Sequence, residues 1–153
     1  MKILGIETSA DDSGIALIET SGAFDKDFSF KILGNALASQ TEVHAQYGGI
    51  FPAMAKREHA KNLPLLLNAI SKGESFERPD AIAVTVGPGL EPCLWQGITL
   101  AQELAKKWDV PVVATNHMEG HLLMSMVRHE NSQFSISCPC ASHLGRAHRA
   151  HFD

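Results

Sequence analysis

The segment "NHMEGH" carries two imidazoles, His117 and His121, four residues apart, with the carboxylate of Glu119 between them. On a helix, positions i and i+4 share a face, so both rings can reach a single ion. Imidazole nitrogen suits zinc or iron. A zinc peptidase of the H-E-x-x-H type places its glutamate directly after the first histidine. Here Glu119 stands two positions on, rotated about 200° from His117 at roughly 100° per residue, and it points away from any ion the pair would hold. The same spacing also suits two ordinary histidines opening a helix. A complete site needs three or four ligands, and the pattern supplies two.

Other stretches hold groups of similar interest. "ETSADDSG" places Glu7, Asp11 and Asp12 around a turn, where they either face a nucleotide or metal or close a solvated Asx turn. "GPGL" sets Gly87 and Gly89 between a strand and a helix. Glycines there let the backbone approach a ligand, and a helix N-terminus favours an anion, but a plain tight turn needs the same residues. The stretch is neither a Walker loop nor G-x-G-x-x-G. "HAQYGG" puts His44 and Tyr47 in a loop of the kind that carries binding residues. Lys56, Arg57, His59 and Lys61 follow as a cluster able to grip phosphates or merely to solvate a helix. Near the end, Cys138, Cys140, His143, His148 and His151 imitate a zinc knot without finger spacing.

The elements that must position these groups follow from periodicity. "KILGIE" (2–7) and "GIALIE" (14–19) read as strands joined by the polar turn, and 28–39 supplies a third, giving an antiparallel meander. Residues 40–52 read as a Gly/Pro-punctuated loop. A helix is predicted over 53–63, with Pro64 kinking it or starting another. "AIAVTV" (81–86) is a continuous apolar run expected in a central strand. Helical spacing resumes from Leu94 to Trp108, "VPVVAT" (110–115) is another buried strand, and a helix begins near His117. Strand and helix alternate after the meander, so the class is α/β with parallel strands in its second half.

Length and composition suit one soluble domain, since 153 residues can bury a real core and 20% of them are charged. A net charge of −4 advertises no global attraction to nucleic acid, though a local patch would suffice. No apolar run approaches the roughly 20 residues that cross a bilayer. The start is not a signal peptide, and three cysteines make no disulfide framework, so the cytoplasm is the expected home.

In order and spacing, "GIETSADDSGIA", "HAQYGGIFPAMAKREH", "VTVGPGL" and "DVPVVATNHMEGHL" resemble the N-terminal lobe of the TsaD family, the tRNA threonylcarbamoyladenosine transferases, over residues 1–136. The resemblance implies the actin-like (ASKHA), ribonuclease H-like fold. It also implies transfer of threonylcarbamoyl from threonylcarbamoyl-AMP, made by a separate synthase, to N6 of the adenosine 3′ of the anticodon. By the same resemblance Asp11 is the catalytic aspartate, and His117 and His121 hold one iron or zinc ion. Glu7, His44, Tyr47, Gly87, Gly89, Lys56 and Arg57 are the weaker candidates for contacts with substrate or tRNA. Implied partners are tRNA and TsaB-like and TsaE-like proteins, with an ATP-like nucleotide in the full-length family. Ala10 stands where many members have cysteine, Asp12 replaces a common glutamate, and "GLEPCLWQG" is divergent. Residues 137–153 are expected to be an aberrant tail, disordered or produced by a shifted frame, where the family adds a second lobe with an aspartate ligand. Two rival readings are a non-catalytic TsaB-like scaffold and a metallo-glycopeptidase, the older label of the family.

Overall fold

Alternation of large apolar residues with small or polar ones along the first twenty positions makes two strands that bury one face. The computed structural model describes residues 1–23, 27–73, 76–125, 127–130 and 133–136. Strand β1 (Lys2–Glu7) pairs antiparallel with β2 (Asp12–Ser21), setting Leu4 opposite Leu17 and Ile6 opposite Ile15. Strand β3 (Ser29–Ser39) continues the meander on the far side of β2.

Two helices cover the face that these side chains share. The buried stripe of α2 (Pro52–Ser71) is Ala55, His59, Leu63, Leu66 and Ile70, at spacings of three and four. That of α3 (Glu91–Trp108) includes Leu94, Ile98, Ala101 and Leu104. Between the helices in sequence, β4 (Ala81–Gly87) joins the free edge of β1 in parallel, with Ile82 beside Leu4 and Val84 beside Ile6. Apart from Ala55 and His59, these side chains form one continuous core. Burying each of its leucines contributes about 1.5–3 kcal/mol, so the core dominates the stability of the lobe.

Strand β5 (Val112–Asn116) lies parallel to β4 and runs directly into α4 (His117–Ser125). Strands β6 (Val127–Glu130) and β7 (Gln133–Ile136) form a hairpin that adds to the edge of β3. The resulting order is β5-β4-β1-β2-β3-β7-β6. The parallel strands β1, β4 and β5 end on the same side of the sheet, and that side gathers the candidate chemistry.

The structure departs from the sequence expectations in particular places. The 40–52 loop contains a short helix, α1 (Thr41–Ala45). Of the two alternatives at Pro64, a second helix is excluded, since α2 runs through it without ending. Pro64 and Ala60 are both exposed, so water can satisfy the carbonyl that the missing N–H leaves free. Helix α3 starts at Glu91 rather than Leu94, because Pro92 is tolerated in a first turn, where its N–H has no partner to lose. The β6–β7 hairpin was not foreseen. Residues 137–153, including Cys138 and Cys140, lie outside the described residues. No described helix is long and apolar enough to cross a membrane.

Candidate metal centre and catalytic turn

The side chain of Asn116 accepts hydrogen bonds from the backbone N–H of Met118 (2.8 Å) and of Glu119 (3.2 Å). This N-cap satisfies two of the donors that a helix start leaves free. It fixes the first turn of α4 against the end of β5, and with it His117 and His121. Their Nε2 atoms lie 3.1 Å apart and their rings meet edge to face, with centroids 4.5 Å apart. With metal–nitrogen bonds of about 2.0–2.1 Å, two nitrogens so placed subtend roughly 100° at one ion, within tetrahedral or octahedral range. The donor set therefore fits zinc or ferrous iron. Among the described residues no group of three His, Cys, Asp or Glu side chains converges to complete a site. Glu119 is exposed.

Beneath the pair sits Glu7. It follows Ile6 in β1 and so projects from the face opposite the core. Its Oε1 accepts the Ser9 backbone N–H at 2.6 Å, and its Oε2 accepts the Thr85 hydroxyl at 2.5 Å. The same Oε2 is 3.4 Å from His117 Nδ1, and the Ser9 hydroxyl is 3.2 Å from that nitrogen. Burial opposes ionisation of Glu7, but the hydrogen bonds from Ser9, Thr85 and His117 outweigh it and hold the carboxyl below its ordinary value of 4.5.

The turn bearing Asp11 is fastened from below. His59, fully buried on α2, has Nε2 3.0 Å from the Ala10 carbonyl and Nδ1 2.8 Å from the Ser13 hydroxyl. A carbonyl can only accept, so Nε2 carries the proton and Nδ1 accepts from Ser13. Burial holds the ring below its ordinary 6.5, against the hydrogen bond to Ala10 and the pull of Glu7, Asp11 and Asp12. The phosphate-gripping role considered for His59 is thus corrected: the ring is inaccessible. A second fastening comes from the Gln40 N–H, which donates to the Asp11 carbonyl at 2.9 Å.

The glycine loop closes on the same turn. Leu90 N–H donates to the Ser9 carbonyl at 2.7 Å, and a Cβ on Gly89 would lie 2.6 Å from that oxygen. Only glycine allows this approach, so Gly89 has a packing reason for its identity. Gly87 ends β4 beside Asn116.

Glu7, His117 and His121 are therefore in contact, directly or in sequence, and the Asp11 turn and the glycine loop adjoin them. The other candidates lie apart. His44 is buried, with Nε2 3.1 Å from Gln40 Oε1 and Nδ1 accepting the Phe51 N–H at 3.4 Å. Tyr47 is exposed and stacked on Phe51, with ring centroids 5.4 Å apart. Lys56 and Arg57 are exposed on α2. Ser9, Thr85, Gln40 and Asn116 were not singled out as site residues by sequence reasoning, and His59 was singled out for a different role. Of these only Asn116 had a local signal, a capping residue just before a helix.

A sheet whose core order is β3-β2-β1-β4-β5, with imidazoles and carboxylates at the ends of its parallel strands, defines a ribonuclease H-like lobe of the actin-like type. YeaZ from Pseudomonas aeruginosa shares this fold, with TM-score 0.53 and 15% identity over 90% of this chain and 64% of that one. So does RuvC from Thermus thermophilus, with TM-score 0.50 and 15% identity over 82% of this chain and 69% of that one. The chain belongs to the TsaD family, the tRNA N6-adenosine threonylcarbamoyltransferases, whose family model matches residues 31–146. That match runs into the stretch set apart above as a tail. The transferase of Buchnera aphidicola subsp. Schizaphis graminum is 44% identical over 135 residues, covering 88% of this chain. The chain spans 38% of the length of that relative.

Proposed function

We propose that this chain is the first lobe of a tRNA-modifying acyltransferase that makes N6-threonylcarbamoyladenosine. In the reaction, adenosine N6 attacks the carbamoyl carbon of threonylcarbamoyl-AMP. The new N–C bond replaces the C–O bond to AMP, and N6 gives up a proton. A ferrous or zinc ion on His117 and His121, when bound, supplies Lewis-acid polarisation of the acyl donor. Asp11, on the turn that also bears Ser9, assists the transfer, and an exposed surface that includes Lys56 and Arg57 meets tRNA phosphates. The remaining ligand and half of the nucleotide pocket come from outside the described residues. TsaB-like and TsaE-like proteins are the proposed partners, and the cytoplasm is the proposed compartment.

The observation that carries this reading is the 3.1 Å separation of the two Nε2 atoms in a member of this family. Equilibrium dialysis of the chain against Zn2+, and against Fe2+ without oxygen, tests it. Wild type should retain metal that His117→Ala and His121→Ala lose, while Glu119→Gln retains it. Equal metal content in wild type and both histidine variants would sink the assignment. A metallopeptidase would instead show metal-dependent proteolysis that Glu119→Gln abolishes, and a TsaB-like scaffold would not need the histidines at all.

A further inference from the structure

The metal reading concerns the Nε2 atoms, yet a histidine offers Nε2 to an ion only when its proton sits on Nδ1. Which nitrogen holds the proton is decided by what faces Nδ1. In His121 that nitrogen has no recorded partner among the described residues. In His117 it faces the Glu7 carboxylate oxygen at 3.4 Å and the Ser9 hydroxyl at 3.2 Å.

We infer that Glu7 is the positioning residue of this centre: its carboxylate, held by Ser9 and Thr85, keeps His117 in the Nδ1–H form and turns Nε2 toward the ion. This rests on the metal reading above and deepens it. Three observations support the assignment. Glu7 is a carboxylate, able to accept from an N–H and unable to donate to the nitrogen. The Ser9 N–H and the Thr85 hydroxyl, at 2.6 and 2.5 Å, clamp both of its oxygens, so it is preorganised rather than drawn in by the ring. The contact also reaches the nitrogen remote from His121, leaving the 3.1 Å Nε2 pair undisturbed. A carboxylate behind a ligating imidazole fixes ring orientation and raises its basicity. The arrangement also joins the ends of β1, β4 and β5, because Glu7, Thr85 and His117 come one from each strand or its continuation.

The test reads the tautomer and the affinity separately. In the metal-free chain at neutral pH, long-range 1H–15N correlations should show His117 as the Nδ1–H form. Glu7→Gln keeps the shape but presents an amide that cannot accept from both Thr85 and His117 while also accepting the Ser9 N–H. It should shift His117 toward the Nε2–H form and weaken Zn2+ binding by about 10- to 100-fold, as loss of such a support does elsewhere. Thr85→Val, which leaves the carboxylate but removes one clamp, should weaken binding less and preserve the tautomer. It also keeps the question answerable if Glu7→Gln fails to fold. An Nε2–H form of His117 in the wild-type chain, or unchanged Zn2+ affinity in a folded Glu7→Gln, would overturn the inference. Absence of wild-type Zn2+ binding alongside the Nδ1–H form would count against the metal reading instead.

Discussion

His59 lies under the turn that carries Asp11, and both of its ring nitrogens are committed there. A protonated ring would have to donate from Nδ1 to a hydroxyl that now donates to it, and it would carry charge into a buried site. The folded state therefore prefers the neutral ring, and its pKa lies below the unfolded 6.5. The unfolded chain binds the proton more readily, so stability from His59 is present above pH 6.5 and is lost as pH falls through the depressed value. Denaturant unfolding of wild type should show this loss on mild acidification. His59→Gln should be less stable at pH 8 by about 1–3 kcal/mol, the cost of a broken buried pair, and should lack that part of the pH dependence. An identical pH profile in the variant would refute the account. Little of this was legible beforehand. The H-x3-H spacing exposed His117 and His121, because both partners lie within one helical turn. The partners of His59 are 46 and 49 residues away, and no local pattern encodes such pairing.

Helix α3 reaches the turn because Gly97 lets it approach β1. A Cβ at Gly97 would lie 2.6 Å from Thr8 Oγ1, itself buried without a hydrogen-bond partner among the described residues. Gly97→Ala should therefore cost about 1–3 kcal/mol by overpacking, measured by thermal or denaturant unfolding. Removing the obstructing side chain as well, in Gly97→Ala/Thr8→Ala, should recover much of that loss, since contacting residues couple. Strict additivity of the two changes would show that the contact is not the cause. At this scale the sequence was most readable where periodicity is local: the meander and the apolar β4 fall where expected, and so do the two amphipathic helices apart from Pro64 and the first turn of α3. It was least readable where an element depends on remote surroundings. Pro64 sits mid-helix because its turn faces water, and α1 forms in a stretch whose glycines and proline signal a loop. The β6–β7 hairpin gains its pairing from the edge of β3.

Strands paired in parallel are ordinarily covered on both faces. Here α2 and α3 cover one face. On the other, α4 lies against β4 and β5 yet buries none of its residues, and on the antiparallel β3 Leu37 is 66% exposed and Ile32 40%. Met118, Leu122 and Met124 are likewise exposed on α4. The open side is the one from which Glu7 projects, so the exposed apolar residues and the His117–His121 pair lie on the same side of the sheet. Both fit a chain that spans 38% of its relative. On the proposed reading, the described residues alone would not hold the acyl donor in line with N6, and such positioning accounts for much of the barrier an enzyme removes. The chain by itself, given tRNA, threonylcarbamoyl-AMP and metal, should thus form no detectable threonylcarbamoyladenosine when tRNA digests are examined by mass spectrometry. A fusion of residues 1–136 to the remaining portion of the Buchnera transferase should form it. In that fusion His117→Ala should reduce the rate at least about 100-fold if the ion contributes several kcal/mol of polarisation. Transfer by the unfused chain would show that the described half-site is already sufficient, and an active His117→Ala fusion would remove the metal from the reaction.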